Sequence, residues 1–144
     1  MTILKHHQID ASKWNRCIKN AINAKPYALY EWLNIVSPKW QAVVLGDYDA
    51  VFPVPYKYYI FFKKTYQPPF TQQLGLFFND PSHNDEIGKV IPLLKQQFRK
   101  GYIQLNDQNF HHTLKFTSRK NYILNYSDLQ EESLSKSHRR NIKK

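Results

Sequence analysis

Cysteine, glycine and long apolar runs are all scarce in this chain of 144 residues. Cys17 is the single cysteine, so no intrachain disulfide can form. It falls with Trp14, Ile18, Ala21 and Ile22 at helical spacing, which assigns it to a core as a small apolar residue. The four glycines stand at 46, 75, 88 and 101 and compose neither GxGxxG nor a Walker A loop, so this segment carries no Gly-rich phosphate cradle. No GxSxG nucleophile elbow is present. The longest aromatic-aliphatic run, Tyr58 to Phe62, is far too short to cross a bilayer, and Met1 to Asp10 contains no apolar signal region. A cytoplasmic protein with no transmembrane segment is expected. His6-His7 and His111-His112 are adjacent pairs, which on a strand point to opposite faces. With no HExxH, CxxC or cysteine cluster, no metal site is expected.

What is present argues for a folded domain. Hydrophobic residues make up 42% and aromatics 15%, enough for a real core in one domain of this length. The net charge is +10, and Lys136, Arg139, Arg140, Lys143 and Lys144 carry half of it. A basic tail on a mildly basic body favours an anionic partner such as nucleic acid, a phosphate-bearing cofactor or a membrane face.

Periodicity outlines the elements. Asp10 or Ser12 caps a first helix over 10–23, and Pro26 opens a second over 26–36 with Leu29, Trp32, Leu33 and Val36 on its stripe. After Lys39 the period changes: Trp40 to Leu45 and Ala50 to Val54 form a hairpin about the Gly46-Asp47-Tyr48-Asp49 turn. Pro53 and Pro55 cannot donate to a ladder, which places them at an edge, a bulge or a strand end. Tyr58 to Phe62 and Thr71 to Phe78 read as further strands. Asp80-Pro81-Ser82 caps a third helix over 82–99, which Pro92 should kink or split. Tyr102 to Leu105, Thr113 to Phe116 and Asn121 to Leu124 read as short strands. The expected fold is α+β, a mixed and mostly antiparallel sheet flanked by helices.

Few residues carry chemistry. Asp47 and Asp49 fit a turn better than a catalytic pair, and no catalytic residue is assigned. The segment Tyr66-Gln67-Pro68-Pro69-Phe70-Thr71-Gln72-Gln73-Leu74-Gly75 sets three amides among aromatics and prolines. Read as a strand, Gln72 and Leu74 share one face and Gln73 takes the other, so at least one amide points inward and needs partners. Such a stretch either builds a polar cleft wall for an amine or peptide-like substrate or merely orders a sheet edge.

Trp32, Lys39-Trp40, the hairpin continuing into Val51-Phe52-Pro53-Val54-Pro55, and Pro68-Pro69-Phe70-Thr71-Gln72-Gln73-Leu74-Gly75 occur in an order that resembles the N-terminal half of FemAB/FemX-like acyltransferases. These are GNAT-related proteins of two GNAT-like units. The closing Ser137-His138-Arg139-Arg140-Asn141-Ile142-Lys143-Lys144 is similar to the basic helix that enters their second unit. The resemblance implies a GNAT-like unit over residues 1–132 and a truncated helix over 133–144. It implies transfer of an acyl or aminoacyl group to an amine, from acyl-CoA or aminoacyl-tRNA bound mostly by the second unit. Lys39 and Arg139 or Arg140 align with cations that bind acceptor phosphates. The donor loop is absent here, so no cofactor and no independent activity are expected of this segment. The implied substrate-side residues are Lys39, Tyr66, Gln72, Gln73, Arg139, Arg140 and Lys143. The expected partners are a C-terminal unit, an amine or peptide-like acceptor, and a second copy through the cut junction. The competing reading is a small basic nucleic-acid-binding domain, with the tail on phosphates and exposed Tyr and Phe stacking on bases. It lacks an RNP, KH or helix-turn-helix signature.

Overall fold

The computed structural model describes residues 1–121. It divides into two units, Met1–Leu114 and Lys115–Lys144. Of the second, residues 115–121 are described; they are exposed and carry no regular secondary structure. The expected strand at Asn121 to Leu124 and the closing basic helix extend outside the described residues.

The first unit is a mixed α+β layer structure. Six strands run as β1 (Thr2–Lys5), β2 (Trp40–Leu45), β3 (Ala50–Tyr59), β4 (Phe62–Thr65), β5 (Phe77–Phe78) and β6 (Lys100–Gly101). The order across the sheet is β1-β2-β3-β4-β6, with β5 also pairing with β3. All pairs are antiparallel except β4 with β6. Three α-helices, α1 (Ala11–Asn20), α2 (Tyr30–Val36) and α3 (Ile87–Gln97), cover the two faces.

Every residue of β2 is buried, because helices cover both faces there. Trp40, Ala42 and Val44 pack with Trp14, Ile18 and Leu33 of α1 and α2. Val43 and Leu45 pack on the other face with Ile87, Val90 and Leu94 of α3. Trp14 is fully buried at 0% exposure, and its ring meets Trp40 edge-on at 5.0 Å. Its indole N–H donates to the Ala28 carbonyl at 2.9 Å, so burial leaves no orphaned donor.

Asp10 caps α1 as expected, accepting from the Lys13 amide at 2.9 Å. The helix stops at Asn20, however, and Ile22, assigned to its stripe, is exposed. The Ile22 amide instead donates to the Phe78 carbonyl at 3.0 Å, which draws the chain out of the helix. The second expected helix divides into a 3-10 turn, Pro26–Ala28, and α2. Asn15 of α1 ends the turn and starts α2: its side-chain oxygen accepts from the Tyr30 amide at 2.9 Å, while its amide donates to the Glu31 carboxylate. The third also divides, but at Glu86 rather than Pro92. Pro81–Glu86 is 3-10, and α3 continues through Pro92.

The prolines of β3 lie in a paired strand. The Tyr56 amide donates to the Lys39 carbonyl at 3.0 Å, so even-numbered amides of β3 face β2. Pro53 and Pro55 therefore lack their N–H on the opposite side. There β5 pairs only with residues 50–51 and β4 only with residues 56–59. Pro53 faces the interval between the two partner strands, and Pro55 faces Tyr66 just past the end of β4, where its carbonyl accepts from the Tyr66 amide at 3.2 Å and only the return bond is missing.

Four other expected strands are corrected. Tyr58 to Phe62 is a hairpin tip, because Tyr59 pairs with Phe62 across Ile60-Phe61. Thr71 to Phe78 is a strand only at β5, with a single parallel bridge from Leu74 to Leu105, and Tyr102 to Leu105 shares only that bridge. Thr113 to Phe116 is not a strand. At that bridge the Leu74 amide donates to the Gln104 carbonyl at 2.7 Å and its carbonyl accepts from the Asn106 backbone amide at 2.8 Å; between it and β5, side-chain amides hold the backbone. Asn109 brackets Leu76, accepting from its N–H at 2.7 Å and donating to its carbonyl at 2.9 Å. Asn106 donates to the Leu74 carbonyl at 3.1 Å, and Asn23 to that of Leu76 at 2.8 Å. These three buried asparagines supply the bonds that a neighbouring strand would give.

Candidate functional site

Beyond the C-terminal end of α2, on the sheet face that α1 and α2 cover, side chains from four segments meet. Ser37 is buried and anchors them: its hydroxyl donates to the Lys39 carbonyl at 3.0 Å and accepts from the Tyr66 hydroxyl at 3.0 Å. Lys57 of β3 holds its ammonium 5.2 Å from the Tyr66 ring centre, a cation–π contact at a half-open surface. Tyr66 and Lys57 share this face because Tyr66 continues β4 opposite Pro55, two residues from Lys57.

The loop after Tyr66 is built by amides and hydroxyls. The Gln67 amide donates to the Thr71 carbonyl at 2.7 Å, and its oxygen accepts from the Gln104 amide at 2.8 Å. Thr71 is buried; its hydroxyl accepts from the Trp32 indole N–H at 3.1 Å and reaches the Pro69 carbonyl at 3.3 Å. The loop closes with Phe70 at a φ of 54° and 87% exposed. An aromatic side chain in the left-handed region is uncommon and strained, and this network holds it there.

The expected substrate-side residues divide across this architecture. Tyr66 lies at the centre of the constellation. Gln73 is buried, and its backbone bonds to the Tyr27 hydroxyl, which burial and then the Asp107 carboxylate push above the usual phenol range. Gln72 is exposed. The inward amide is thus Gln73, and Leu74 is buried too, because residues 71–76 do not alternate as a strand would. Lys39 is on the opposite face: it pairs with Tyr56, and its ammonium lies 4.8 Å over the Tyr58 ring. Lys39 and Tyr66 are not brought together. Arg139, Arg140 and Lys143 lie outside the described residues. Sequence reasoning passed over Lys57, Ser37 and Thr71; the parity of β3 would have indicated Lys57 once its register was known.

Two hollows lie elsewhere. One of about 460 Å³ opens on the α3 face and is lined by Gln41, Tyr56, Tyr58, Lys63 and Gln97, among others. The Gln41 amide donates to the Gln97 side-chain oxygen at its floor. The other, about 240 Å³, lies beside the β2–β3 turn. Lys13 forms an ion pair with Asp47 there at 2.6 Å, and the Asp49 amide donates to the Leu45 carbonyl at 3.0 Å. Both carboxylates therefore belong to turn geometry. Cys17 lines this hollow, and burial, then the Asp49 charge, pushes its thiol up to about 11. It is a poor nucleophile at neutral pH.

No group of three or more His, Cys, Asp or Glu suited to a metal ion occurs among the described residues. The histidine pairs do not lie on strands: His6 stacks on Tyr30 at 5.6 Å, and the rings of His111 and His112 stack on each other at 4.7 Å. No described helix is long and apolar enough to cross a membrane. No protein-family model, characterised protein or solved structure matches the chain.

Proposed function

We propose that this chain is the substrate-side unit of an acyl- or aminoacyl-transferase of the FemAB/GNAT-like kind, binding an amine or peptide-like acceptor and not the acyl donor. One observation carries the reading: Tyr66, held by Ser37, stands beside Lys57 and the amide-stapled loop that runs to Thr71. Groups fixed by internal bonds lose little freedom when a ligand arrives, which suits them to orienting an acceptor. A peptide-like acceptor offers amides to exposed Gln72 and to the tyrosine hydroxyl, and a carboxylate or phosphate to Lys57. Lys57 replaces Lys39 as the cation of this surface, since Lys39 faces the other way. The motif order in the sequence supports the family, and the lack of a Gly-rich donor loop supports the division of labour. In this reading, acyl-CoA or aminoacyl-tRNA binds to a second unit.

Isothermal titration of the chain tests this with three ligands. An alanyl-lysine dipeptide should bind, and Tyr66→Phe with Lys57→Ala should abolish the heat. Acetyl-CoA should give no heat. Tight one-to-one binding of acetyl-CoA would defeat the proposal. Salt-dependent binding of generic DNA or RNA, with no response to the dipeptide, would favour the nucleic-acid reading instead.

A further inference from the structure

The β3–β4 hairpin ends in a cluster of apolar side chains that the fold leaves open. Tyr58 is 57% exposed, Tyr59 55%, Ile60 74% and Phe61 97%. The loop between Tyr59 and Phe62 has two residues, and Ile60 adopts a φ of 51°. Hairpin turns of this length favour Asn, Asp or Gly where φ is positive, and a β-branched residue there is a true outlier. The chain thus spends its tightest turn on two large apolar residues that contribute nothing to the core.

Cations collar this tip. Lys57 pairs directly across from Lys64, and Lys64 pairs in turn with Lys100, so three ammonium groups stand abreast on β3, β4 and β6. Like charges in register destabilise a sheet unless something anionic lies against them. Lys39 and Lys63 hold their ammonium groups over the Tyr58 and Tyr56 rings, and Arg99 lies over Phe62 at 5.9 Å. None of these six cations makes an ion pair among the described residues. No Asp or Glu occurs between Asp49 and Asp80 in the sequence. The acids Asp47, Asp49 and Asp80 are at the other end of β3: two form the β2–β3 turn, and Asp80 follows β5, whose Phe78 pairs with Ala50. Ten residues of strand, about 30 Å, separate the two poles.

We propose that this hairpin tip docks on an anionic membrane surface, with Ile60 and Phe61 entering the boundary between headgroups and acyl chains. Tyr58 and Tyr59 would lie at headgroup level, where amphipathic rings are favoured. The lysine collar, two to four residues behind the tip on the strands, would meet lipid phosphates. This layering of apolar tip, aromatic band and cations separates a bilayer from other anions. A nucleic acid would use the lysines and tyrosines but leave Ile60 unburied, and an acidic protein would not demand apolar residues at the apex. The proposal shares Lys57 with the acceptor surface, but it rests on the apolar tip and the other five cations around it and does not depend on the transferase reading.

Co-sedimentation of the whole chain with vesicles tests it, using phosphatidylcholine with and without phosphatidylglycerol. The chain should pellet with the anionic vesicles only, and less as salt rises. The Ile60→Ser, Phe61→Ser variant should lose at least about tenfold in affinity, as expected for withdrawing two large apolar side chains. Phe61→Trp keeps an apolar tip, and its added emission should shift to the blue on anionic vesicles. Failure to pellet with those vesicles, serine variants that bind like the parent, or an added indole emission unmoved by bound vesicles would each overturn the proposal. So would tip-dependent binding of RNA, or tip-dependent self-association, without vesicle binding.

Discussion

Gly75→Ala should be among the most damaging single substitutions in this protein, although it adds only one methyl group. Gly75 adopts a φ of 121°, where an L-residue is strained by about 1–3 kcal/mol. Its new Cβ would lie 1.9 Å from Asn109 Oδ1 and 3.2 Å from Asn106 Nδ2. Asn109 would have to move, and both of its bonds to Leu76, at 2.7 and 2.9 Å, would go with it. Leaving those buried groups unpaired costs a further ~1–3 kcal/mol. The sum is about 2–6 kcal/mol, a large part of the ~5–15 kcal/mol that holds a typical domain together. Urea unfolding followed by tryptophan fluorescence should show the midpoint falling by roughly 2 M with little change of slope. The cycle with Asn109→Ala isolates the cause. Once the asparagine is truncated, the clash disappears and only the backbone strain remains, so the two changes should be non-additive by about 1–3 kcal/mol. A Gly75→Ala cost below about 1 kcal/mol, or strict additivity with Asn109→Ala, would refute the claim that asparagine side chains replace a strand here.

Cys17 should resist a thiol reagent in the folded protein at pH 8 and react at once in denaturant. Its raised value also implies stability that is complete below about pH 9 and is lost as the pH rises toward about 11, which pH-dependent melts would read. Asp47→Ala should change stability by less than about 1 kcal/mol in the same melts, because its pair with Lys13 is largely exposed to solvent. Trp14→Ala should cost about 3–5 kcal/mol in urea unfolding, since it empties the centre of the α1–α2 core and orphans the Ala28 carbonyl.

The parts of the fold that follow local rules were legible in the sequence. The Gly46–Asp49 turn, the Asp10 cap and the Leu29–Val36 stripe each combine local chemistry with the right period, and tertiary context agrees with them. Segments whose bonds come from elsewhere were not legible. Residues 71–76 look like a strand because Thr71, Leu74 and Leu76 suit one, yet their backbone partners are Asn23, Asn106, Asn109 and Gln67, distant in sequence and without a periodic signal. Ile60 and Phe61 contain no turn residue, so the hairpin tip read as an uninterrupted strand. Pro53 and Pro55 implied an edge, a bulge or a strand end, and they lie in a central strand where its partners on one side change from β5 to β4. Of the candidate site, the Tyr66–Thr71 segment was legible as polar groups concentrated among prolines. The separation of Lys39 from Tyr66 was hidden, because a strand's parity decides which face a side chain joins, and parity depends on register.

Chemical-shift mapping tests the central claim most directly. The backbone amide spectrum of the isotope-labelled chain would be followed while alanyl-lysine dipeptide and, separately, acetyl-CoA are added. The account predicts that the dipeptide moves resonances of Lys57, Tyr66 and Phe70 to Gln73, and that acetyl-CoA moves none. Dipeptide shifts confined to other segments, or a saturable response to acetyl-CoA, would contradict it.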